Sequence, residues 1–222
     1  EKYSIKKYFP KLIFAEKGKV IMEKIDGSNF STLYINEILT TEHIDLLLST
    51  IGEIHSSDSN GPISQYYDYN EKLMNRFDSF DYIKYGLSNE EFFDIKQNVE
   101  SLRGEYKIIH GDLVFSNIIL TNTGKIKLID VKGKQGNDFS IFGDCFYDYA
   151  KIYQSLIGYD EILLDKEIKE SYKSKMINYF NSKFSNQDLE KIRNITKSLL
   201  VSLIPLHNEA NKFKKYINLA KK

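Results

Sequence analysis

Apolar positions along the chain change period several times, and the changes outline its elements. Behind Thr41, the residues Ile44, Leu47, Leu48, Ile51 and Ile54 recur at helical spacing, which predicts an amphipathic helix over Thr41–His55. A second helix is predicted over 89–102, with Phe92, Ile95, Val99 and Leu102 on its apolar face. Ahead of both, residues 1–35 read as short strands. The stretch 19–25 is rich in β-branched and apolar types, and Asp26-Gly27-Ser28-Asn29 reads as the turn that closes it. Gly61-Pro62 breaks the chain. The tyrosine-rich stretch 66–85 follows no single period and admits short helices.

Near residue 106 the period shortens. Tyr106-Lys107-Ile108-Ile109 reads as a strand that enters His110-Gly111-Asp112. The segments 117–120 and 125–129 flank Asn122-Thr123-Gly124 and read as a hairpin, with the glycine at a positive-φ position. The glycine-bearing stretch 132–143 reads as an irregular loop. Helices are predicted from there to the end. Asp144 is placed as the cap of a helix carrying Ala150, Ile152 and Leu156. Ser185 and Asp188 are spaced as a capping box for a helix over 186–204 that Pro205 ends.

The bulk numbers narrow the functional classes. A chain of 222 residues with 41% hydrophobic content can bury one good-sized core. Lys+Arg and Asp+Glu both total 31, so no net field draws the chain to nucleic acid or to an anionic membrane. No apolar run reaches the length of a membrane span. Cys145 is the only cysteine, so an intrachain disulfide is impossible and a reducing, cytoplasmic setting is expected. The four histidines have no metal-ligand spacing.

The informative segment is His110-Gly111-Asp112-x4-Asn117, then the hairpin, then Leu128-Ile129-Asp130. Phosphoryl transfer needs a hard cation on the donor phosphates, held by oxygen ligands, and an oriented acceptor hydroxyl whose proton has a destination. One carboxylate near the hydroxyl and two oxygen ligands are the smallest set that supplies this. A hairpin brings its ends side by side. Asn117 opens one arm and Asp130 ends the other, so both side chains can converge on one ion, with Asp112 facing the acceptor.

HGDxxxxN followed by a hairpin and Ile-Asp resembles the signature of the aminoglycoside phosphotransferase and choline kinase superfamily, small-molecule relatives of protein kinases. Three other stretches fit the same order. Residues 143–150 resemble the family's GDxxYDLA helix start, Ile54-His55-Ser56 its Leu-His-Ser helix end, and 20–27 its inter-lobe strand, hinge and turn. The likeness spans about residues 9–158, and the wording around Asn117 and Asp130 resembles members from bacterial surface-polysaccharide gene sets. It implies an α+β, protein-kinase-like fold, mainly the helical C-terminal lobe with a central hairpin. Residues 1–35 would be a remnant of the N-lobe and hinge, and 36–222 the helical catalytic lobe.

By that resemblance, Asp112 is the catalytic base or hydroxyl-orienting carboxylate, and Asn117 and Asp130 bind Mg²⁺. Backbone groups from Met22 through Glu23 to Ile25 hold the purine of ATP or GTP, against Ile119 and Ile129. Asp144 and Asp148 brace the catalytic loop. The expected activity is transfer of a nucleotide γ-phosphate to a small-molecule hydroxyl on a sugar, an amino alcohol such as choline, or a polysaccharide precursor. The alternative is a catalytically idle binding or scaffold module of a larger polysaccharide-biosynthesis enzyme.

The front end departs from the family. About 20 residues precede the hinge, no glycine-rich phosphate loop is visible, and none of the early lysines has the strand context of the family's phosphate-contacting lysine. Two readings follow: a chain continuous with an upstream lobe, or a natural variant with a minimal one. Other residues carry plain readings beside the functional ones. Cys145 reads as a small core residue and His110 as a loop-ordering histidine. The aromatic run of Tyr66, Tyr67, Tyr69, Phe77, Phe80, Tyr82 and Tyr85 reads as packing, with an aromatic box for a quaternary ammonium group as the alternative. Lys132 and Lys134 read as a solvated loop or as partners for a phosphate or acidic acceptor.

Overall fold

The computed structural model describes residues 4–57, 69–100, 102, 104–135 and 138–222. A short 3₁₀ turn, Ser4–Tyr8, leads into an antiparallel hairpin of β1 (Leu12–Glu16) and β2 (Lys19–Met22). Asp26-Gly27-Ser28-Asn29, read as a turn, is instead mostly strand β3 (Gly27–Asn29). It pairs with a strand almost a hundred residues on, a partner that local sequence does not reveal. Asn29 then caps α1 (Phe30–Ile35), its side-chain oxygen accepting from Thr32 N at 2.8 Å. The expectation of strands alone over 1–35 therefore misses a helix. That helix seats Phe30 and Tyr34 in the core.

Helix α2 (Thr41–His55) has the predicted bounds, and Ile44, Leu47, Ile51 and Ile54 are all buried. At roughly 1.5–3 kcal/mol per fully buried aliphatic side chain, that face outweighs any intrinsic helix preference of the segment. Next come α3 (Tyr69–Phe77), a 3₁₀ turn at Ile83–Tyr85, and α4 (Asn89–Glu100), with Phe92, Ile95 and Val99 inward. Gly61-Pro62, Tyr66 and Tyr67 lie outside the described residues.

Strand β4 (Tyr106–Ile108) precedes the predicted hairpin of β5 (Ile118–Thr121) and β6 (Ile126–Leu128). Gly124 takes a φ of +74° at its tip. With β3 these strands form a three-stranded sheet, in the order β3-β5-β6. Gly27 is required at that junction, because a Cβ there would lie 2.2 Å from the Leu120 carbonyl oxygen. The stretch 132–143 is not wholly irregular. It contains β7 (Lys134–Gln135), paired with β8 (Asp138–Phe139), and the start of β9 (Phe142–Asp144), which pairs with β4. Such short pairings leave no periodic signal.

Helix α5 (Cys145–Gln154) begins at its expected cap, the Asp144 carboxylate accepting from Phe146 N at 3.0 Å. One π-type turn, Ser155–Tyr159, joins it to α6 (Asp160–Leu164), and Gly158 supplies the φ of +137° that the turn needs. Then follow α7 (Glu170–Asn181), α8 (Asn186–Leu203), a 3₁₀ turn holding Pro205, and α9 (Ala210–Ala220). Ser185 caps α8, but Asp188 accepts from the Ser185 hydroxyl at 2.8 Å rather than completing a full box. One apolar cluster gathers α1, α2, the β5–β6 hairpin, α5 and α7. A second gathers α3, α4, α8 and α9, and α5 lies between them.

Candidate active site

The loop 109–117 joins β4 to β5 and holds two of the predicted site residues, Asp112 and Asn117. Its shape is imposed by one face of α5. Asp148, Lys151 and Ser155 are spaced i, i+3 and i+7, so they stand in one row along the helix. The wholly buried Asp148 carboxylate accepts from His110 N at 2.9 Å and from Gly111 N at 2.8 Å. Its Oδ2 also lies 3.1 Å from His55 Nε2, at the end of α2. Lys151 Nζ stands 3.0 Å from Asp112 Oδ1. Ser155 Oγ accepts from Phe115 N at 3.0 Å. Two side chains of α5 and one of the turn that continues it thus hold four residues of the loop.

Gly111 cannot be replaced freely. Its φ is +81°, and a Cβ would sit 2.9 Å from the Cβ of Lys132. His110 is buried and serves the loop. Asp112 N donates to its Nδ1 at 3.3 Å, so Nε2 carries the proton and donates to the Ile129 carbonyl at 2.9 Å. Burial holds this imidazole below its usual pKa, in keeping with the neutral form.

The Asp112 carboxylate is 39% exposed at the mouth of the loop. Asn117 Nδ2 donates to the Asp112 carbonyl at 2.8 Å and, more loosely, to Asp112 Oδ2 at 3.3 Å. The structure therefore brings Asp112 and Asn117 into direct contact. Asp130 is reached through the backbone: Ile129 N donates to the Asn117 carbonyl at 3.0 Å, and Asp130 follows, exposed, with a φ of +61°. That backbone turn takes Asp130 out of the strand register. Among the described residues no group of three or more His, Cys, Asp or Glu side chains could cage a metal.

The nucleotide-side candidates are less closely knit. Met22 is exposed on β2, and Ile25, Ile119 and Ile129 are half-buried. Glu23 N already donates to the Lys11 carbonyl at 2.8 Å, and Glu23 Oε2 accepts from Lys11 N at 2.9 Å. Its amide is thus committed within the hairpin, which leaves the Glu23 carbonyl and the Ile25 backbone as the groups that could face a base. Lys127 ties the two parts together, donating to the Phe9 carbonyl at 3.0 Å.

A cleft beside the start of the loop is lined by His110, Gly111, Lys132, Lys134, Asp144 and Tyr147, among others. Lys72 Nζ donates to the Tyr147 hydroxyl at 3.2 Å. Burial opposes ionisation of this phenol, yet the fields of Lys72, Lys151 and Lys132 outweigh burial and bring it down to about 7. Asp144 is pushed the other way, upward, chiefly by burial, and Tyr69 donates to it at 2.8 Å. Cys145 is buried and its thiol is raised to about 12, which fits a core residue and not a nucleophile. The described aromatics of the run pack against one another and the core: Phe80 meets Tyr85 and Phe213, and Phe77 meets Phe92.

Sequence reasoning missed Lys72, Lys151 and Ser155. The last two were detectable as polar members of a row on a helix whose other inward residues, Ala150, Ile152 and Tyr153, are apolar. Lys72 carried no such signal.

No family model matches the chain, and no curated protein matches it in sequence. Solved structures do match in shape. A choline/ethanolamine kinase family protein from Mesorhizobium loti superposes with a TM-score of 0.66 at 7% identity, over 97% of this chain and 72% of that one. A Plasmodium vivax ethanolamine kinase does so with a TM-score of 0.57 at 16% identity, over 97% and 68%. A thermostable aminoglycoside phosphotransferase APH(4)-Ia, in ternary complex with AMP-PNP and hygromycin B, gives 0.61 at 12% identity, over 98% and 79%. At such identities the shared property is the fold, which is that of the protein-kinase-like small-molecule phosphotransferases. No helix among the described residues is long and apolar enough to cross a membrane.

Proposed function

We propose that this chain, built on the fold of the choline/ethanolamine kinases and aminoglycoside phosphotransferases, moves the γ-phosphoryl group of ATP or GTP to a hydroxyl of a small molecule. The observation that carries the reading is the Asp112 carboxylate. It stands partly exposed in a loop whose His110 and Gly111 amides are held by Asp148, with Lys151 on one oxygen and Asn117 near the other. Such a carboxylate can orient an acceptor hydroxyl and take its proton. In the reaction, the bond from the acceptor oxygen to the γ-phosphorus forms and the bond to the β,γ-bridging oxygen breaks. The hydroxyl proton passes to Asp112, and a nucleoside diphosphate leaves. Lys151 keeps the carboxylate aimed and balances its charge.

Mg²⁺ fits the donor set. Asn117 commits its amide N–H groups to Asp112, which leaves Oδ1 as a neutral oxygen donor, and Asp130, one residue past the backbone bond from Ile129 N to the Asn117 carbonyl, has an exposed carboxylate. Two hard oxygens and no cage suit an ion that takes its remaining ligands from phosphates and water. When bound, it would neutralise charge on the donor phosphates. For the base, the Glu23 carbonyl and the Ile25 backbone are the hydrogen-bonding candidates, Met22 lies alongside, and Ile119 and Ile129 flank it. The division into 1–35 and 36–222 belongs to this reading too. Strand β3 crosses that border to pair with β5.

A second reading keeps the fold without turnover, as a binding module. The hairpin β1–β2 favours it. Leu12, Ile13, Val20 and Met22 are 58%, 63%, 60% and 53% exposed there, a thin cover for a triphosphate. The deciding experiment is a thermal-shift titration of the chain with ATP and GTP, each with and without Mg²⁺, followed by a γ-phosphate transfer assay over a panel of alcohols. A Mg²⁺-dependent rise that Asp130→Ala abolishes, together with transfer that Asp112→Asn abolishes, supports the kinase. A rise without transfer to any alcohol supports the idle module. No rise with either nucleotide at millimolar levels overturns nucleotide use by this chain.

A further inference from the structure

The hairpin β1–β2 leaves its apolar side chains in water. Leu12, Ile13, Phe14, Val20, Ile21 and Met22 are 58%, 63%, 40%, 60%, 40% and 53% exposed. Among the described residues no third strand joins this sheet. A two-stranded ribbon with no packed face is marginal by itself, and an apolar strand with an open edge is a template for another strand. The two edges here differ. Strand β1 follows Pro10, and its register slips between Leu12 and Phe14, so its outer edge is irregular. Strand β2 has neither device.

Backbone groups alternate in direction along a strand. Glu23 N donates to the Lys11 carbonyl at 2.8 Å, toward β1. Ile21 and Lys19 therefore turn their backbone groups to β1 as well, opposite Phe14 and Glu16. Those of Val20 and Met22 point the other way, along the open edge. A strand laid antiparallel there can bond to both residues.

The stretch Lys19-Val20-Ile21-Met22-Glu23 is its own complement in that arrangement. With two copies of β2 antiparallel about Ile21, Val20 of each faces Met22 of the other as a hydrogen-bonded pair. Ile21 meets Ile21, and Lys19 of each stands opposite Glu23 of the other on one face. Opposed residues have Cβ atoms about 4.5–5.5 Å apart, within reach of an ion pair. Moving the register by two residues sets Lys19 or Glu23 against Ile21 and loses both ion pairs. The charges are available. The Lys19 ammonium, 5.9 Å from the centre of the Phe14 ring, forms no ion pair among the described residues. Glu23 is exposed and commits only Oε2, to Lys11 N at 2.9 Å, with Lys127 Nζ 3.7 Å away.

We propose that the open edge of β2 docks a second copy of this chain, β2 against β2 about Ile21, in a two-fold dimer whose sheet runs β1-β2-β2-β1. The two good edges consume each other, so assembly closes at the dimer. This association does not depend on the phosphotransfer reading.

The test is sedimentation velocity of the 222-residue chain from about 1 to about 500 µM, with hydrogen exchange at both ends of that range. A monomer–dimer equilibrium is expected, with the Val20 and Met22 amides exchanging about tenfold or more slowly at the high concentration. Lys19→Glu sets like charges together twice and should weaken the dimer by about tenfold, whereas Lys17→Glu, the same charge change in the turn, should alter it by about twofold or less. Val20→Pro deletes an N–H that β1 does not use and should abolish the dimer while circular dichroism stays native. Hydrogen exchange on the unaltered chain decides the matter if that variant does not fold.

A monomer across the whole range overturns the proposal. So does a dimer that leaves the Val20 and Met22 amides unprotected, or one that Lys19→Glu and Lys17→Glu affect alike. Equal protection of those amides at both concentrations would assign the edge to a segment of the same chain, and growth beyond the dimer would deny the closed pairing; either result overturns it.

Discussion

Lys151 Nζ lies 3.0 Å from Asp112 Oδ1, one helical turn beyond the Asp148 carboxylate that holds the His110 and Gly111 amides. The helix that shapes the loop also governs the charge at its tip. Removing the carboxylate should therefore differ from removing its support. Asp112→Asn should lower kcat by about 10²–10⁴-fold with only a small change in melting temperature, because asparagine keeps one oxygen for the Lys151 ammonium. Lys151→Met should lower kcat by roughly tenfold or more with nucleotide affinity preserved, and Lys151→Arg should restore part of it. Steady-state kinetics beside a melting curve separates the two effects. Equal loss in the Arg and Met variants would deny Lys151 a charge-based role.

Asp148 is a support of a different kind. Its carboxylate is fully buried and receives two backbone N–H groups and His55. Asp148→Ala leaves all three without a partner. The expected loss is about 3–5 kcal/mol of folding stability, read by urea denaturation, together with all phosphotransfer. Asp148→Asn, which keeps an acceptor oxygen, should fall in between. A loss of under about 1 kcal/mol in the Ala variant would mean that the loop holds its shape by other means.

Asp130 combines a φ of +61° with an exposed carboxylate. Asp130→Gly should leave stability within about 1 kcal/mol of the wild type, since glycine adopts that φ without penalty. The same change should remove the Mg²⁺-dependent part of nucleotide binding. Asn117→Ala should weaken Mg²⁺ dependence and also loosen Asp112, whereas Asn117→Asp should retain the metal oxygen and lose the N–H bond to the Asp112 carbonyl. Mg²⁺ titrations of nucleotide binding in the three variants check this. Unchanged Mg²⁺ dependence in Asp130→Gly would remove Asp130 from the site.

Away from the loop, Asp160 gives the fold a pH dependence. It is fully buried, and its carboxyl is raised to about 6, by burial above all, against hydrogen bonds from Ser31 and Ser155. Its Oδ2 finds no partner among the described residues, as suits an oxygen that keeps a proton. The folded state therefore binds this proton more tightly than the unfolded chain, whose carboxyl titrates near 3.8. Stability contributed here is present at acid pH and is lost as pH rises through about 4 to 6, on the order of 2–3 kcal/mol. Asp160→Asn should flatten that part of the curve and be the more stable protein at neutral pH. Urea denaturation of both proteins across the range checks the sign, and parallel curves would refute it.

The longer helices were legible because burying one face of each imposes a spacing on its own residues, as Ile44, Leu47, Ile51 and Ile54 show in α2, whereas the six-residue α1 was not. So was the β5–β6 hairpin, whose partners lie a few residues apart across Gly124. Strand β3 was not, because its hydrogen bonds go to Leu120 and its neighbours. Strands β7 and β8, two residues each, are too short to carry a period.

The same division runs through the site. By itself the sequence determined which residues hold oxygen donors, Asp112, Asn117 and Asp130, and that a loop and a hairpin would carry them, since both facts are local to residues 110–130. Only the tertiary structure decided what charges surround them. Lys72, Lys132 and Lys151 come from separate elements and meet at one phenol. An electrostatic field depends on distances through space, which the order of residues along the chain does not state.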